Sequence, residues 1–216
     1  MKGDVIVVDD NHRRVASTIA AAIRPQLARP GRLLVTVAGE SGSGKSETAA
    51  ALAEQLLEAG VRSAILGQDD YFRLPPKTND TRRRQDQDWL GPHVEVRLDL
   101  LQANVDSALA GERSIEKPTI DYTADSVATE CLDLDGVKVV IVEGTYVSLL
   151  RHVDVRIFIA RNRVETLEHR MRRNRGNEVR DPFVEGVLRV EHKIIAGHRY
   201  LADFVVTNDY EIVRAD

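Results

Sequence analysis

The sequence predicts an α/β domain in which a five-stranded parallel sheet is flanked by helices. Short apolar runs alternate with helical patterns along the 216 residues, which is the order that a parallel sheet requires. A glycine-rich loop joins the first buried strand of this series to a helix. The composition, 43% hydrophobic and 30% charged, is that of an ordinary globular domain, which excludes a disordered chain and a disulfide-built miniprotein.

The first thirty residues predict a short strand followed by a helix. Residues 5–8 are an apolar run of valine and isoleucine, and residues 12–28 carry apolar side chains near the 3.6-residue helical spacing. Asp10 or Asn11 is expected to cap this helix. We therefore expect a single domain over residues 1–216, with a strand–helix extension ahead of its main series.

The main series contains five buried strands. They are predicted at residues 33–37, 62–66, 137–142, 154–159 and 204–206. Four helices accompany them, predicted at residues 47–59, 96–110, 164–173 and 182–196. A small hairpin is expected from residues 114–117 and 128–134. Residues 69–92 are polar and rich in proline, and they predict a long loop of the kind that often carries function.

Residues 39–46 match the phosphate-binding loop pattern G-x-x-x-x-G-K-[ST] in full. The glycines let backbone N–H groups turn toward one anion, and the following helix directs its N-terminus at the same phosphates. Lys45 is expected to reach the β- and γ-phosphates, and the Ser46 hydroxyl to bind Mg²⁺. The residues expected to bind the nucleotide are Gly39, Glu40, Ser41, Gly42, Ser43, Gly44, Lys45, Ser46 and Glu47.

Acidic side chains follow two of the predicted strands. Asp69 comes after the second strand, and Glu143 ends the third. Residues at the carboxyl ends of parallel strands line the ligand crevice of such a sheet. A carboxylate there can take a proton from an acceptor hydroxyl or hold Mg²⁺, although an acid in this position is also common as an ordinary turn residue. Asp69 and its neighbour Asp70 are thus both candidates for the proton transfer, and Glu143, Ser46 and Asp69 are candidates for the metal.

Arginine outnumbers lysine by 24 to 6, and the segment 161–181 holds seven of the arginines. A GC-rich gene explains the overall bias, and a solvated helix is the ordinary interpretation of such a charged segment. The alternative is a lid that brings arginines onto the transferring phosphate and excludes water.

Together these residues resemble the uridine kinase and phosphoribulokinase-like group of P-loop kinases. The resemblance is carried by residues 39–46, 68–72, 118–122, 139–144, 180–181 and 200–204. It implies a P-loop NTPase fold, Asp69 as the general base and Glu143 near Mg²⁺. It also implies lid arginines on the phosphates among Arg172, Arg175 and Arg180, of which Arg175 is assigned a catalytic role.

The sequence departs from uridine kinases on the acceptor side. Ile120 stands where that group carries a tyrosine, and Asp125 stands where it carries a base-reading histidine. Phosphoryl transfer is therefore better supported than uridine as the acceptor. Asp121, His93 and Arg97 are the alternative contacts for a sugar, polyol, vitamin alcohol or sugar phosphate. The run at 82–84 is either a site for an anionic acceptor or a solvated loop.

The sequence thus favours an ATP- and Mg²⁺-dependent phosphotransferase that acts on a hydroxyl of a small metabolite, with uridine or cytidine as the first candidate. A slow regulatory NTPase module is the alternative from another class. The net charge of −4 argues against a nucleic-acid partner. The single cysteine, Cys131, and the lack of a long apolar run favour a cytoplasmic protein with no membrane partner, and a homo-oligomer is possible.

Overall fold

The computed structural model describes residues 5–86, 88–161 and 181–215, and in them it shows an α/β sandwich. A mostly parallel sheet of six strands has the order β2-β5-β1-β6-β7-β8, and a separate hairpin pairs β3 with β4. The strands are β1 Leu33–Gly39, β2 Ser63–Gly67, β3 Ser114–Asp121, β4 Ser126–Asp133, β5 Val139–Gly144, β6 Val155–Ile159, β7 Phe204–Val206 and β8 Ile212–Arg214. The helices are α1 Asp10–Ile23, α2 Lys45–Glu58, α3 Pro76–Gln85, α4 Leu98–Leu109 and α5 Pro182–Ile195.

The five predicted parallel strands all form, and they are neighbours in one sheet. The sheet nevertheless has six strands in the described part of the chain, because β8 pairs antiparallel with β7 at one edge. β8 has only three residues and no buried run, so its sequence offered little signal. The predicted α/β class is confirmed, and the edge strand is an addition to it.

The sheet separates two hydrophobic layers. One face packs against α4 and the turn that follows β5, and the other packs against α1 and α2. The central strands β1 and β5 are mostly apolar, with Thr36 as an exception in β1 and Glu143 near the end of β5, because both of their faces are covered. This burial fixes the strand ends, and with them the side chains of the loops that follow.

The predicted strand at residues 5–8 is wrong. This segment is irregular, and Val5 and Val7 are about two-thirds exposed, at 65% and 64%. The helix after it is confirmed, but Asp9 caps it rather than Asp10 or Asn11, by accepting hydrogen bonds from the N–H groups of residues 11 and 12. No strand of the described sheet pairs with this short apolar run, so its β propensity is not realised.

The predicted long loop at residues 69–92 is also wrong in part, because α3 lies inside it. The helix begins with Pro76, and its cap comes from another element. Asp125, in the turn of the hairpin, accepts hydrogen bonds from the backbone N–H groups of Lys77 and Thr78, at 2.7 and 3.2 Å. A cap supplied from 48 residues away leaves no local signal for the start of the helix.

The hairpin and the predicted helix near residue 182 are confirmed as β3–β4 and α5. The predicted helix 164–173 and most of the proposed lid at 161–181 fall outside the described residues. Among the residues that are described, no helix is long and apolar enough to cross a membrane.

Candidate active site

The phosphate-binding loop joins β1 to α2 as its sequence requires. Gly44, at a φ of 99°, precedes the first residue of α2, so the helix N-terminus opens onto the loop. Gly39 is packed so closely that a Cβ there would lie 2.8 Å from the Ser43 Oγ and 2.9 Å from the Ile159 carbonyl oxygen. The loop keeps this curled backbone only with glycine at that position.

Two features of the loop are suited to an anion. The Ser43 hydroxyl is buried and has no hydrogen-bond partner among the residues that the structure describes. The Lys45 ammonium reaches back over the loop and donates to the Glu40 carbonyl oxygen at 2.8 Å. An unpaired donor beside a lysine and a helix N-terminus is an arrangement that suits an anion.

The two predicted acids lie on one side of this loop. Asp69 is in the 3-10 turn that follows β2, and Glu143 ends β5 directly opposite Gly67 of β2. The Ser46 hydroxyl donates to the Glu143 carboxylate at 3.2 Å. Burial, and then the nearby charge of Asp69, raise the pKa of Glu143 to about 7. A carboxylate bonded to a hydroxyl, with a second carboxylate near enough to affect its pKa, supplies oxygen ligands of the kind that Mg²⁺ takes.

Gly144 allows the two strand ends to approach this closely. A Cβ at Gly144 would lie 2.3 Å from the Cβ of Gln68, which leaves no room for a side chain. Gln68 uses that space to accept a hydrogen bond from the Tyr146 N–H at 2.7 Å. The residue before Asp69 is thereby tied to the turn after Glu143, which sets the separation of the two acids.

Asp70, the neighbour of Asp69, is engaged in the fold. Its carboxylate accepts from the Lys117 ammonium at 2.9 Å and from the Ile120 N–H at 3.0 Å. Lys117 is buried and also pairs with Glu130, at 2.7 Å. Asp70 therefore fastens the hairpin to the acid-bearing turn, while Asp69 remains half-buried on the loop side.

A cluster of buried polar side chains also lies in this part of the structure, and the sequence did not predict it. Arg83 of α3 pairs with the fully buried Glu95 at 2.6 Å. Glu191 of α5 and the Tyr146 hydroxyl are electrostatically coupled to both of them. Burial raises the pKa of Glu191 to about 7, with Arg83 opposing that rise. These residues come from four separate segments, so spacing along the chain could not have predicted the group.

Two histidines bring distant elements to the phosphate-binding loop. His192 of α5 contacts the Glu40 carboxylate at 2.6 Å. His12 of α1 is buried behind the loop, where its Nε2 would lie 3.0 Å from a Cβ on Gly44. The sequence predicted no role for either histidine, because neither belongs to a recognisable motif.

The alternative acceptor contacts are not brought together. Asp121 accepts from the N–H groups of residues 123 and 124, which makes it part of the hairpin turn. His93 is exposed, and Asp125 caps α3. The Nε of Arg97, in contrast, is buried without a hydrogen-bond partner in the described structure.

The arginines at 82–84 lie in helix α3 rather than in a loop, with Arg82 and Arg84 exposed to solvent and Arg83 mostly buried, and all three form ion pairs within the protein. Arg82 pairs with Asp86, Arg83 with Glu95, and Arg84 with Asp80 and Asp181. Of the predicted lid residues, Arg172, Arg175 and Arg180 lie outside the described residues. Arg161 is described, and its guanidinium stacks on the ring of Tyr210 at 4.8 Å.

Comparison with known proteins identifies a family and several relatives. The model of the "Phosphoribulokinase / Uridine kinase family" matches residues 34–195. The chain is 29% identical over 189 residues to a bifunctional alpha-galactosidase/sucrose kinase of Mediterraneibacter gnavus, a match that covers 82% of this chain and 20% of that relative. It is 26% identical over 193 residues to a uridine kinase of Bacillus cereus strain AH187, covering 81% of this chain and 84% of that one.

Solved structures share the fold. A putative fructose transport system kinase from Silicibacter sp. TM1040 superposes with a TM-score of 0.60 at 18% identity, over 83% of this chain and 94% of that one. The chain thus spans about a fifth of the length of the first relative but most of the length of the others.

Proposed function

The chain belongs to the phosphoribulokinase / uridine kinase family, and on that premise we propose that it transfers the γ-phosphoryl group of Mg-ATP to a hydroxyl of a small metabolite. One observation carries this proposal. The Ser46 hydroxyl next to the phosphate-binding loop donates to Glu143, and the charge of Asp69 acts on the same carboxylate, which supports a site where a metal-bound phosphoryl group meets an acceptor hydroxyl. The guanine-reading motif [NT]-K-x-D is absent from the sequence, so ATP is the expected donor.

In this proposal the loop residues hold the nucleotide. The N-terminus of α2, the backbone of residues 39–46 and Lys45 bind the β- and γ-phosphates. Ser46 and Glu143 would hold Mg²⁺, with Asp69 at the same ion or its water shell. When bound, the ion supplies positive charge that offsets the charge of the transferring group.

Asp69 acts on the acceptor. It accepts the hydroxyl proton as the acceptor oxygen bonds to the γ-phosphorus and the bond from that phosphorus to the ADP oxygen breaks. The products are the phosphorylated acceptor and ADP. Of the two adjacent acids, only Asp69 suits this role, because both oxygens of Asp70 are used by the hairpin. The arginines Arg172, Arg175 and Arg180 are proposed to neutralise phosphate charge from the lid.

The acceptor class has two candidates. Uridine or cytidine is one, because uridine kinases are among the relatives. A sugar is the other, because a sucrose kinase and a putative fructose transport system kinase are also among them. Asp125 does not favour the nucleoside. It stands at the position of the base-reading histidine, but its carboxylate is already hydrogen-bonded to the first turn of α3.

A product-resolved acceptor screen tests this function. The protein is incubated with Mg-ATP and a panel of nucleosides, sugars, polyols and sugar phosphates, and each product is identified by mass. We expect one acceptor class to gain a phosphate, with loss of product when EDTA removes the metal and in a Lys45→Met variant. ATP hydrolysis that is independent of every acceptor, without a phosphorylated product, would contradict the proposal and favour a regulatory NTPase.

A further inference from the structure

Glu40 is the only acidic residue of the phosphate-binding loop, residues 39–46, and its side chain is bonded to a helix far along the chain. The carboxylate is nearly buried, with 9% of the side chain exposed. His192 of α5 places its Nδ1 2.6 Å from the Glu40 Oε1. Because an ionised carboxylate only accepts hydrogen bonds, the imidazole Nδ1 is the donor. This bond joins α5 to the loop across 152 residues of sequence.

The helix that carries His192 is held firmly in the fold. Ile195, near its end, is fully buried in the hydrophobic layer that contains α4. Asp181 caps its start and pairs with Arg84 of α3 at 2.5 Å. Since α5 is fixed at both ends, His192 can hold the Glu40 side chain in one position.

The backbone of Glu40 connects this contact to the groups that suit phosphate. Its carbonyl oxygen accepts from the Lys45 ammonium at 2.8 Å and from the Ser43 N–H at 3.1 Å. Both partners belong to the part of the loop that is proposed to bind the nucleotide. A change in the side-chain contact of Glu40 would alter the orientation of the peptide group that Lys45 and Ser43 contact, so His192 reaches the nucleotide site through Glu40.

We propose that His192 is a positioning residue for nucleotide binding: it donates a hydrogen bond to Glu40 and thereby keeps Lys45 and Ser43 oriented toward phosphate. This deepens the proposed function and rests on its nucleotide site. Without the bond, the nearly buried carboxylate would lose this donor and could turn within the loop, where its negative charge would oppose the phosphates. The effect falls on nucleotide affinity and not on proton transfer, because Asp69 lies in the separate turn after β2.

The test measures the Kd for Mg-ATP by isothermal titration calorimetry in the wild type and in five variants. His192→Ala removes the donor, and His192→Asn keeps an amide N–H at about the position of Nδ1. Glu40→Ala removes the acceptor, and combining it with His192→Ala shows whether the two side chains act together. Lys193→Ala removes an exposed side chain from the same turn of α5 and is the matched control. The melting temperature of each variant reports on folding.

We expect His192→Ala to raise the Kd for Mg-ATP by about tenfold or more, as when a hydrogen bond to a charged group is lost. His192→Asn and Lys193→Ala should stay near the wild type. In the Glu40→Ala background, His192→Ala should have little further effect, and kcat with a confirmed acceptor should stay near that of the wild type.

Two results would overturn the role of His192: an affinity of His192→Ala equal to that of Lys193→Ala, or an equally large loss with and without the Glu40 side chain. If Glu40→Ala does not fold, the two substitutions of His192 decide, since equal losses for alanine and asparagine contradict the hydrogen bond. Because the readout is binding, normal affinity for Mg-ATP with no phosphorylated product from any acceptor would reject the proposed function alone.

Discussion

Two adjacent aspartates have identical side chains but different surroundings, and the surroundings decide the role of each. Asp69 and Asp70 follow the same strand, and the sequence alone could not separate them except through the resemblance to kinases. In the structure, Asp70 is buried and bound to Lys117 and Ile120. Asp69 instead contributes to the electrostatic environment of Glu143 and Glu191. This difference in surroundings is why the proposed proton transfer falls on Asp69.

Replacing Asp69 with asparagine is expected to lower kcat by about 10² or more, the usual contribution of a general base. Nucleotide binding should remain near that of the wild type, because the phosphate-binding loop is untouched. Steady-state kinetics with a confirmed acceptor, together with titration of Mg-ATP binding, provide the measurement. Asp99→Asn, on an exposed position of α4, is the control. A turnover number equal to that of the control would remove Asp69 from the mechanism.

Among the helices and strands, the sequence predicted best those elements whose formation depends on being buried. The five parallel strands are apolar runs with turn residues behind them, and each forms within a few residues of its predicted bounds. The misses, α3 and the run at 5–8, depend on partners far along the chain. α3 has its cap supplied by Asp125, and none of the strands in the described part of the chain pairs with the apolar run. Neither fact can be predicted from the residues of the segment itself.

The same limit applies to the candidate site. The phosphate-binding loop, Asp69 and Glu143 were predictable because each follows a strand within a short motif. Glu191 and Arg83 were not, because α5 and α3 meet only in the folded chain, and the pattern of each helix is that of an ordinary amphipathic or charged helix. The phosphate-binding loop and the two acids are therefore local in sequence, whereas the buried group around Arg83 and Glu191 is assembled from distant segments.

Gly144→Ala tests the contact that joins the ends of β2 and β5. An added methyl would overlap Gln68, so we expect a loss of about 1–3 kcal/mol in the free energy of unfolding, as for other overpacked positions. A fall in kcat should accompany it, because Gln68 precedes Asp69. The control is Gly186→Ala in α5, where nothing lies within 4 Å of the new methyl and a gain of about 0.5–1 kcal/mol is expected. Urea unfolding of both variants should give opposite signs, and equal changes would contradict the proposed contact.

For the molecule as a whole, the N-terminal segment is more than the extension that its sequence suggested. The matched family residues begin at 34, yet α1 covers one face of the sheet and packs on α2. Its buried side chains include Val15, Ile19 and Ile23, each with at most 1% exposure. Through His12 it also touches the back of the phosphate-binding loop at Gly44. The loop is thus supported from both sides, by α1 behind it and by His192 of α5 at Glu40.

If α1 is part of the core, truncating Ile19 should destabilise the entire domain. We expect Ile19→Ala to cost about 2–5 kcal/mol, the range for a fully buried isoleucine, which is a large fraction of a typical domain's total stability. Arg13→Ala on the exposed face of the same helix should cost about 1 kcal/mol or less, because its ion pair with Asp10 is a surface pair. Chemical unfolding followed by circular dichroism measures both variants. If α1 were a dispensable extension, Ile19→Ala and Arg13→Ala would both change the free energy of unfolding by equal, small amounts. The reason is that losing α1 would leave the sheet and the phosphate-binding loop intact.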